Sequence, residues 1–182
     1  SHNAAISACE KGQAWRWALE VMGEMLAHGL VPDIVTYNSA ISACEKSQHW
    51  EQAFALLGRL RVQGLQPDTY TFNALVSACE KGRCWELALA LLQEMRRGGS
   101  GPDVISYSAA VSACARGERW ELALELFAEM RRSGLQTDAI AFNSAISACA
   151  AGRRWAAALG LLGSLREARL RPDVVAYSAA VA

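Results

Sequence analysis

Cysteine and aspartate are the residue types in this sequence that could ligate a metal or act in catalysis, and both recur every 35 residues. The cysteines are Cys9, Cys44, Cys79, Cys114 and Cys149, and the aspartates are Asp33, Asp68, Asp103, Asp138 and Asp173. A zinc site needs short, paired ligand spacings, whereas the sixth cysteine, Cys84, follows Cys79 by five residues. Equivalent residues of stacked helical units lie roughly 8–10 Å apart, beyond the roughly 7 Å that a disulfide spans. We therefore predict buried, reduced cysteines in a reducing compartment, with no metal and no cofactor.

Nucleophilic catalysis is also not indicated. His2, His28 and His49 occupy unrelated places in the 35-residue unit, so no histidine recurs beside a serine to act as its base. The recurring serines are Ser7, Ser42, Ser77, Ser112 and Ser147. We expect them to lie within a helix and to donate to a carbonyl of the preceding turn. The sequence predicts a protein that is not an enzyme and takes no small-molecule substrate.

Three more series keep the same spacing, so the chain is a tandem array. They are Trp15, Trp50, Trp85, Trp120 and Trp155; Tyr37, Phe72, Tyr107, Phe142 and Tyr177; and Ala18, Ala53, Ala88, Ala123 and Ala158. Full units run 34–68, 69–103, 104–138 and 139–173, preceded by a near-complete unit at 1–33 and followed by the start of another at 174–182. We treat 1–182 as one array. Because Ser1 falls inside a unit, we expect the chain to be a fragment of a longer array and any targeting segment to lie outside this fragment.

Each unit is predicted to fold as two helices. In the unit 34–68, Tyr37, Ala40, Ile41 and Cys44 fall three and four residues apart, which is one face of a helix. A second helix carries Trp50, Ala53, Leu56, Leu57 and Leu60 on its inner face. Gly64 ends the second helix, and Gly82 and Gly117 stand where other units end the first. Because one hairpin cannot bury its apolar stripe alone, we predict an all-α, superhelical α-solenoid of helix-turn-helix repeats.

Net charge and hydropathy limit the kinds of binding partner that the sequence predicts. Lysine plus arginine and aspartate plus glutamate number 18 each, so the formal net charge is zero and gives no general attraction to nucleic acid. No run of apolar residues approaches the length of a membrane span, so no membrane partner is expected.

The repeated motifs resemble pentatricopeptide repeats. The resemblance rests on YNSAISACEK at 37–46, ALELFAEM at 123–130 and GLQPD at 64–68. The constant interval of 35 is similar to the P-class of that family. The tetratricopeptide alternative has a 34-residue period and places its tryptophan near the start of its first helix, whereas here tryptophan opens the second.

The resemblance implies binding of single-stranded RNA, one base per repeat. The family reads a base with the polar residue after the first-helix aromatic and the residue that closes the repeat. Here the pairs are Asn3 with Asp33, Asn38 with Asp68, Asn73 with Asp103, Ser108 with Asp138, and Asn143 with Asp173. The family pattern assigns uridine to Asn with Asp and guanine to Ser with Asp, which gives 5′-UUUGU-3′. Ser178 begins a sixth pair.

The resemblance also implies residues that sandwich bases and residues that contact phosphates. The first set is Val35, Tyr70, Ile105, Ile140 and Val175, and the second is Lys11, Lys46, Lys81 and Arg116. Simpler roles stay open at this point. Each aspartate could only cap the next helix, each asparagine could be an ordinary first-turn residue, and each cation could only complement a helix C-terminus.

The leading functional hypothesis is therefore sequence-selective RNA binding in organelle RNA processing, stabilisation or translation. The resemblance places the protein in a mitochondrion or a chloroplast. The alternative is a protein-binding scaffold, because α-solenoids also hold peptides and the net charge is zero. Variation between Asn and Ser beside a constant aromatic favours RNA.

Overall fold

The computed structural model describes residues 2–99, 101–170 and 177–178. Within those ranges the chain forms ten α-helices and no strand, which confirms the predicted all-α repeat fold. The helices are α1 His2–Lys11, α2 Trp15–Ala27, α3 Ile34–Lys46, α4 Trp50–Val62, α5 Thr69–Gly82, α6 Trp85–Arg97, α7 Val104–Arg116, α8 Trp120–Arg132, α9 Ala139–Ala151 and α10 Trp155–Glu167. Every second helix begins at the recurring tryptophan. Most of the final partial repeat, 174–182, lies outside the described residues.

The helices cluster into two compact units, Ser1–Gly82 and Arg83–Ala182. In the first unit α3 packs between α1 and α5, while α2 packs on α1 and α3 and α4 packs on α3 and α5. In the second unit α7 packs on α9, α8 packs on both, α6 packs on α7 and α10 packs on α9. The second helices α2, α4 and α8 thus each fill the gap between the first helix of their own repeat and that of the next repeat. This arrangement buries the apolar stripe that a lone hairpin would expose.

Small side chains line the contacts between helices. The recurring alanines Ala18, Ala53, Ala88, Ala123 and Ala158 are fully buried, as expected where helix axes approach closely. Cys44, Cys79, Cys114 and Cys149 are buried as well, and none of the six cysteines forms a disulfide. Burial raises the pKa of Cys44 and of Cys114 to about 11. These thiols stay protonated near neutral pH and pack as small apolar groups.

The glycines at the ends of the first helices stand where predicted, with Gly82 the last residue of α5 and Gly117 following α7, but they also have a role that was not predicted. Gly82 does not adopt a left-handed conformation, and the residue that does is Arg83, with φ 55°. A Cβ built on Gly82 would lie 2.5 Å from Cδ1 of Trp50 in the preceding repeat. Gly117 and Gly152 meet Trp85 and Trp120 in the same way. Glycine is needed there because the tryptophan ring of one repeat packs directly on the backbone of the next.

The glycines after the second helices behave as predicted. They are Gly29, Gly64, Gly99 and Gly134, with φ between 71° and 82°. Only glycine adopts this left-handed conformation without strain. Arg169, which replaces glycine at the equivalent place, adopts it too, with φ 57°.

The prediction for the recurring serines is wrong at Ser42, Ser77 and Ser112. Ser42 donates to Glu10 Oε1 at 3.0 Å and Ser77 donates to Glu45 Oε1 at 2.8 Å, each in the preceding repeat. The Ser112 hydroxyl bonds to that of Ser144 in the following repeat. These hydroxyls face a neighbouring first helix, where a carboxylate or hydroxyl is a better acceptor than a carbonyl already used within the helix.

The described residues also bear on the membrane and metal predictions. In this part of the chain no helix has both the length and the apolar character needed to cross a bilayer. Nor do three His, Cys, Asp or Glu side chains within it gather in a way that could hold a metal ion.

The recurring aromatic position differs between repeats in its hydrogen bonding. The hydroxyl of Tyr107 donates to Glu129 Oε1 at 2.9 Å, and Glu129 also pairs with Arg96. The hydroxyl of Tyr37 is buried and has no hydrogen-bond partner among the described residues. A buried hydroxyl without a partner costs stability, whereas a satisfied one contributes.

We expect Gly82→Ala to lower the free energy of unfolding by about 1–3 kcal/mol, because the added Cβ must displace the Trp50 ring. Gly58→Ala is the matched control. Nothing lies within 4 Å of its added Cβ, and alanine within a helix is favoured over glycine by about 0.5–1 kcal/mol. Urea denaturation followed by circular dichroism measures both changes. Equal stability of the Gly82 variant and the wild type would contradict the packing role.

We expect opposite effects from two Tyr→Phe substitutions. Tyr107→Phe should cost about 1 kcal/mol, because it removes the bond to Glu129. Tyr37→Phe should leave stability unchanged or raise it, since it removes a buried hydroxyl without a partner. Phe72 and Phe142 already occupy this position in other repeats. Thermal and urea unfolding of the two variants tests the difference, and equal losses would refute it.

Candidate nucleic-acid interface

The aspartates that close the repeats cap the helices that follow them. Asp33 accepts from the Thr36 N–H at 2.8 Å, Asp103 from Ser106 at 2.9 Å and Asp138 from Ala141 at 2.8 Å. Asp68 accepts from the Thr71 N–H at 2.8 Å. These four aspartates therefore act as N-caps, and capping fixes each carboxylate at the junction between two repeats.

Capping is not the only role of Asp68. Asn38 Nδ2, in the repeat that Asp68 closes, lies 3.1 and 3.0 Å from its two carboxylate oxygens. The Thr71 hydroxyl lies 2.6 Å from Asn38 Oδ1 and 2.8 Å from Asp68 Oδ1. A carboxylate accepts only, so the amide nitrogen must face Asp68 and the amide oxygen must face Thr71. The orientation of the Asn38 amide is thus set from both sides.

The same three residue types meet at the preceding junction. Asn3 Nδ2 lies 3.5 Å from Asp33 Oδ2, and the Thr36 hydroxyl donates to Asn3 Oδ1 at 2.9 Å. The predicted pair of Asn3 with Asp33 is therefore brought together, although less tightly than Asn38 with Asp68.

The junction at Ser108 is built differently. Ser108 donates either to Asp138 Oδ1, at 2.9 Å, or to the Val104 carbonyl, at 2.7 Å. Ala141 stands where Thr36 and Thr71 stand elsewhere, so no hydroxyl orients the pair from the other side. The shorter serine leaves more room beside the carboxylate than asparagine does.

The other predicted pairs are described only in part. Asn73 lies on α5 in the first unit and Asp103 caps α7 in the second. Asn143 lies on α9, but its partner Asp173 is outside the described residues. Ser178 is helical and exposed.

The apolar residues predicted to sandwich bases are exposed at the starts of otherwise buried helices. Val35, Tyr70, Ile105 and Ile140 leave between 50% and 59% of their surface accessible. Val175 lies outside the described residues. Asn38, in contrast, exposes 9% of its surface. A recessed polar group beside an exposed apolar one suits a flat ligand that stacks on its face and bonds through its edge.

Two of the predicted phosphate contacts are already paired with carboxylates. Lys46 Nζ lies 2.8 Å from Glu10 Oε1, and Lys81 Nζ lies 2.6 Å from Glu45 Oε1. Lys11 ends α1 and is exposed. Arg116 ends α7. The cations thus lie on the first helices as expected, but Lys46 and Lys81 each form an ion pair with a glutamate.

Two sets of residues at this surface, threonines and glutamates, were not predicted from the sequence. The threonines that orient the asparagines could have been found, because Thr three residues after an N-cap aspartate is a capping signal. The glutamates also keep the 35-residue spacing at Glu10, Glu45 and Glu80, and the series ends at Ala115 and Ala150. Their contact with the lysine of the next repeat depends on the stacking of α1, α3 and α5, which the sequence alone does not give.

We predict that Asp33 contributes an acid-sensitive part of the stability. The backbone N–H and the hydroxyl of Thr36, together with Asn3, lower the pKa of Asp33 below its ordinary value of 3.8. Ionised Asp33 therefore stabilises the fold above that value, and the contribution is lost as the pH falls through the lower folded-state pKa. Asp33→Asn should flatten the pH dependence of unfolding below about pH 4. Urea midpoints between pH 2 and pH 7 test this, and parallel profiles for variant and wild type would contradict it.

Family models match along the chain. The PPR repeat family matches residues 32–81 and 102–151. The PPR repeat matches 70–100 and 140–170, and the pentatricopeptide repeat domain matches 1–47. A comparison with curated protein sequences finds no significant match.

Solved structures show the same fold. The crystal structure of the pentatricopeptide repeat protein PPR10 from maize is 26% identical over 100% of this chain, with a TM-score of 0.71. PPR10 in complex with an 18-nt psaJ RNA element is 23% identical over 99% of this chain, with a TM-score of 0.72. This chain spans only 26% and 31% of the lengths of those two chains.

A shorter solved protein matches almost from end to end. The PPR domain of Arabidopsis thaliana protein-only RNase P 1, in complex with tRNA, is 18% identical. The match covers 98% of this chain and 96% of that domain, with a TM-score of 0.83. With the family models matching more than half of the sequence, the paired helices and the recurring junctions lead to one conclusion: this chain belongs to the pentatricopeptide repeat family.

Proposed function

We propose that this chain binds single-stranded RNA without catalysing a reaction, and that each repeat reads one base. The observation that carries the proposal is the junction of Asn38, Asp68 and Thr71 beside the exposed apolar residues Val35 and Tyr70. Solved relatives in complex with an RNA element and with tRNA support the same ligand class.

Asn38 retains the groups that a uracil edge needs. Its Nδ2 has two protons, one of which faces Asp68, and its Oδ1 has two lone pairs, one of which faces Thr71. One donor and one acceptor remain, with their order fixed by the two neighbours. Uracil offers an N–H donor beside a carbonyl acceptor, so it complements this order. Cytosine offers the reverse order and would need the amide to turn its oxygen toward the carboxylate.

Ser108 suits a larger base. Its side chain is shorter than asparagine, and Asp138 beside it offers carboxylate oxygens that accept from N–H groups. Guanine carries two such N–H groups on its Watson–Crick edge. The proposed order of bases, 5′-UUUGU-3′, therefore follows the pairs from Asn3 to Asn143 along the chain.

Exposed apolar residues supply a contact that does not depend on sequence. Stacking of a base on an aromatic side chain contributes about 1–3 kcal/mol. Tyr70 is the aromatic member of the series, whereas Val35, Ile105 and Ile140 are aliphatic and give apolar contact only. We propose that the setting is organelle RNA processing, stabilisation or translation, in a mitochondrion or chloroplast, as the family resemblance implies.

The test exchanges one junction for another. Ser108→Asn gives the fourth repeat the Asn and Asp pair found in the second. We expect the preferred fourth base to change from G to U by about fivefold or more, since a well-placed base contact discriminates by roughly 1–3 kcal/mol. Fluorescence anisotropy with RNAs containing UUUGU, UUUUU and UUUAU, and with the DNA equivalent of UUUGU, measures the change.

Glu121→Gln, at an exposed site in the first turn of α8, is the control and should leave the base preference unchanged. Equal affinity of the wild type for the three RNAs would refute base reading at Ser108. Failure to bind any strand would refute RNA binding and favour a peptide ligand.

A further inference from the structure

The feature that the function does not explain is a set of glutamates on the surface assigned to RNA. Lys46 bonds to Glu10 and Lys81 bonds to Glu45, each glutamate lying in the preceding repeat. Lys81 also donates to the main-chain carbonyl of Glu45 at 3.2 Å. The resemblance assigns both lysines to phosphates, which these carboxylates would repel.

The lysines lie on the same face as the groups proposed to read and stack on bases. Val35, Asn38, Ser42 and Lys46 follow one another on α3 at intervals of three, four and four residues, which places them along one stripe. Asn38 and Lys46 are eight residues apart, or roughly 12 Å along the helix. Since Glu10 bonds to both Ser42 and Lys46, the carboxylate lies beside this stripe.

The glutamates are held more firmly than the lysines. Glu10 Oε1 accepts from the Ser42 hydroxyl at 3.0 Å and from the Tyr70 hydroxyl at 3.4 Å. Glu45 Oε1 accepts from Ser77 at 2.8 Å. The side chains of Glu10 and Glu45 expose 17% and 12% of their surface, against 40% and 30% for Lys46 and Lys81. A phosphate that approaches would therefore draw the lysine away from a carboxylate that stays in place.

Resting on the proposed RNA-binding function, we propose that Glu10 and Glu45 compete with RNA phosphates for Lys46 and Lys81 and so weaken binding to every sequence alike. Attraction to phosphates carries no sequence information and supplies most non-specific affinity. Neutralising the cations lowers that part of the affinity and leaves base contacts unchanged. The glutamates thus determine affinity and salt dependence, whereas the asparagine, serine and aspartate pairs determine the choice of base.

The test is Glu45→Gln, which removes the charge and keeps an acceptor for Ser77. We expect about two- to fivefold tighter binding to RNA containing UUUGU and to a matched oligocytidine, because an exposed ion pair no longer competes. The slope of log affinity against log salt should become steeper by about 0.7, as for one more lysine released to a phosphate of a single strand. Anisotropy at several salt concentrations gives both quantities.

Two further variants separate this mechanism from a structural effect. Lys81→Met combined with Glu45→Gln should abolish the gain and return the salt slope to its original value or below. Glu51→Gln, in the exposed first turn of α4, removes the same charge away from any such lysine and should change binding much less.

The outcomes distinguish this inference from the function on which it rests. If the wild type binds RNA and Glu45→Gln changes neither affinity nor salt slope, the competition is refuted and RNA binding stands. A gain that persists without Lys81 also refutes it. If neither protein binds RNA, both proposals fail.

Discussion

The Asp68 carboxylate accepts hydrogen bonds from Thr71, in the helix that it caps, and from Asn38, in the repeat that it closes. Both the start of α5 and the orientation of the Asn38 amide depend on this one group. A helix N-terminus carries N–H groups without partners inside the helix, so a cap is needed at each junction in any case. The candidate site uses the same carboxylate that satisfies this need. The same carboxylate therefore serves both the fold and the candidate site.

The second constraint is electrostatic. The array has no net charge, and at the described lysine pairs the positive groups face carboxylates of the preceding repeat. For Glu10, burial raises the pKa, but the hydrogen bonds from Lys46 and Ser42 and the charge of Lys46 lower it overall. The carboxylate is therefore ionised near neutral pH. A surface of this kind attracts a polyanion less than the number of its lysines suggests, so in the proposed complex with RNA the selectivity would rest on the shape and hydrogen bonding of individual bases.

Much of this could be predicted from the sequence, because the 35-residue spacing repeats five independent residue series. The helix pairs, the buried alanines and cysteines, the left-handed glycine at Gly64 and the capping aspartates all follow from local rules that involve one repeat. The predictions that were wrong or incomplete involve two repeats. Gly82 ends α5 as expected, but it also makes room for Trp50, which was not predicted. Ser42 was expected to bond within its helix but donates to Glu10. Contacts between repeats depend on how the hairpins stack, and spacing along the chain does not determine that.

The tryptophan that packs on the glycine of the next repeat has a consequence for how such arrays change in length. Trp50 with Gly82, Trp85 with Gly117 and Trp120 with Gly152 form one contact repeated along the chain. Where Ser47 replaces glycine, the Trp15 ring lies 4.3 Å from that of His49 instead. A block of 35 residues that is duplicated or deleted between equivalent points of these three repeats brings a tryptophan opposite a glycine able to receive it. Recombination within the gene can therefore add or remove a repeat, and with it one proposed base contact, without leaving an unpacked junction.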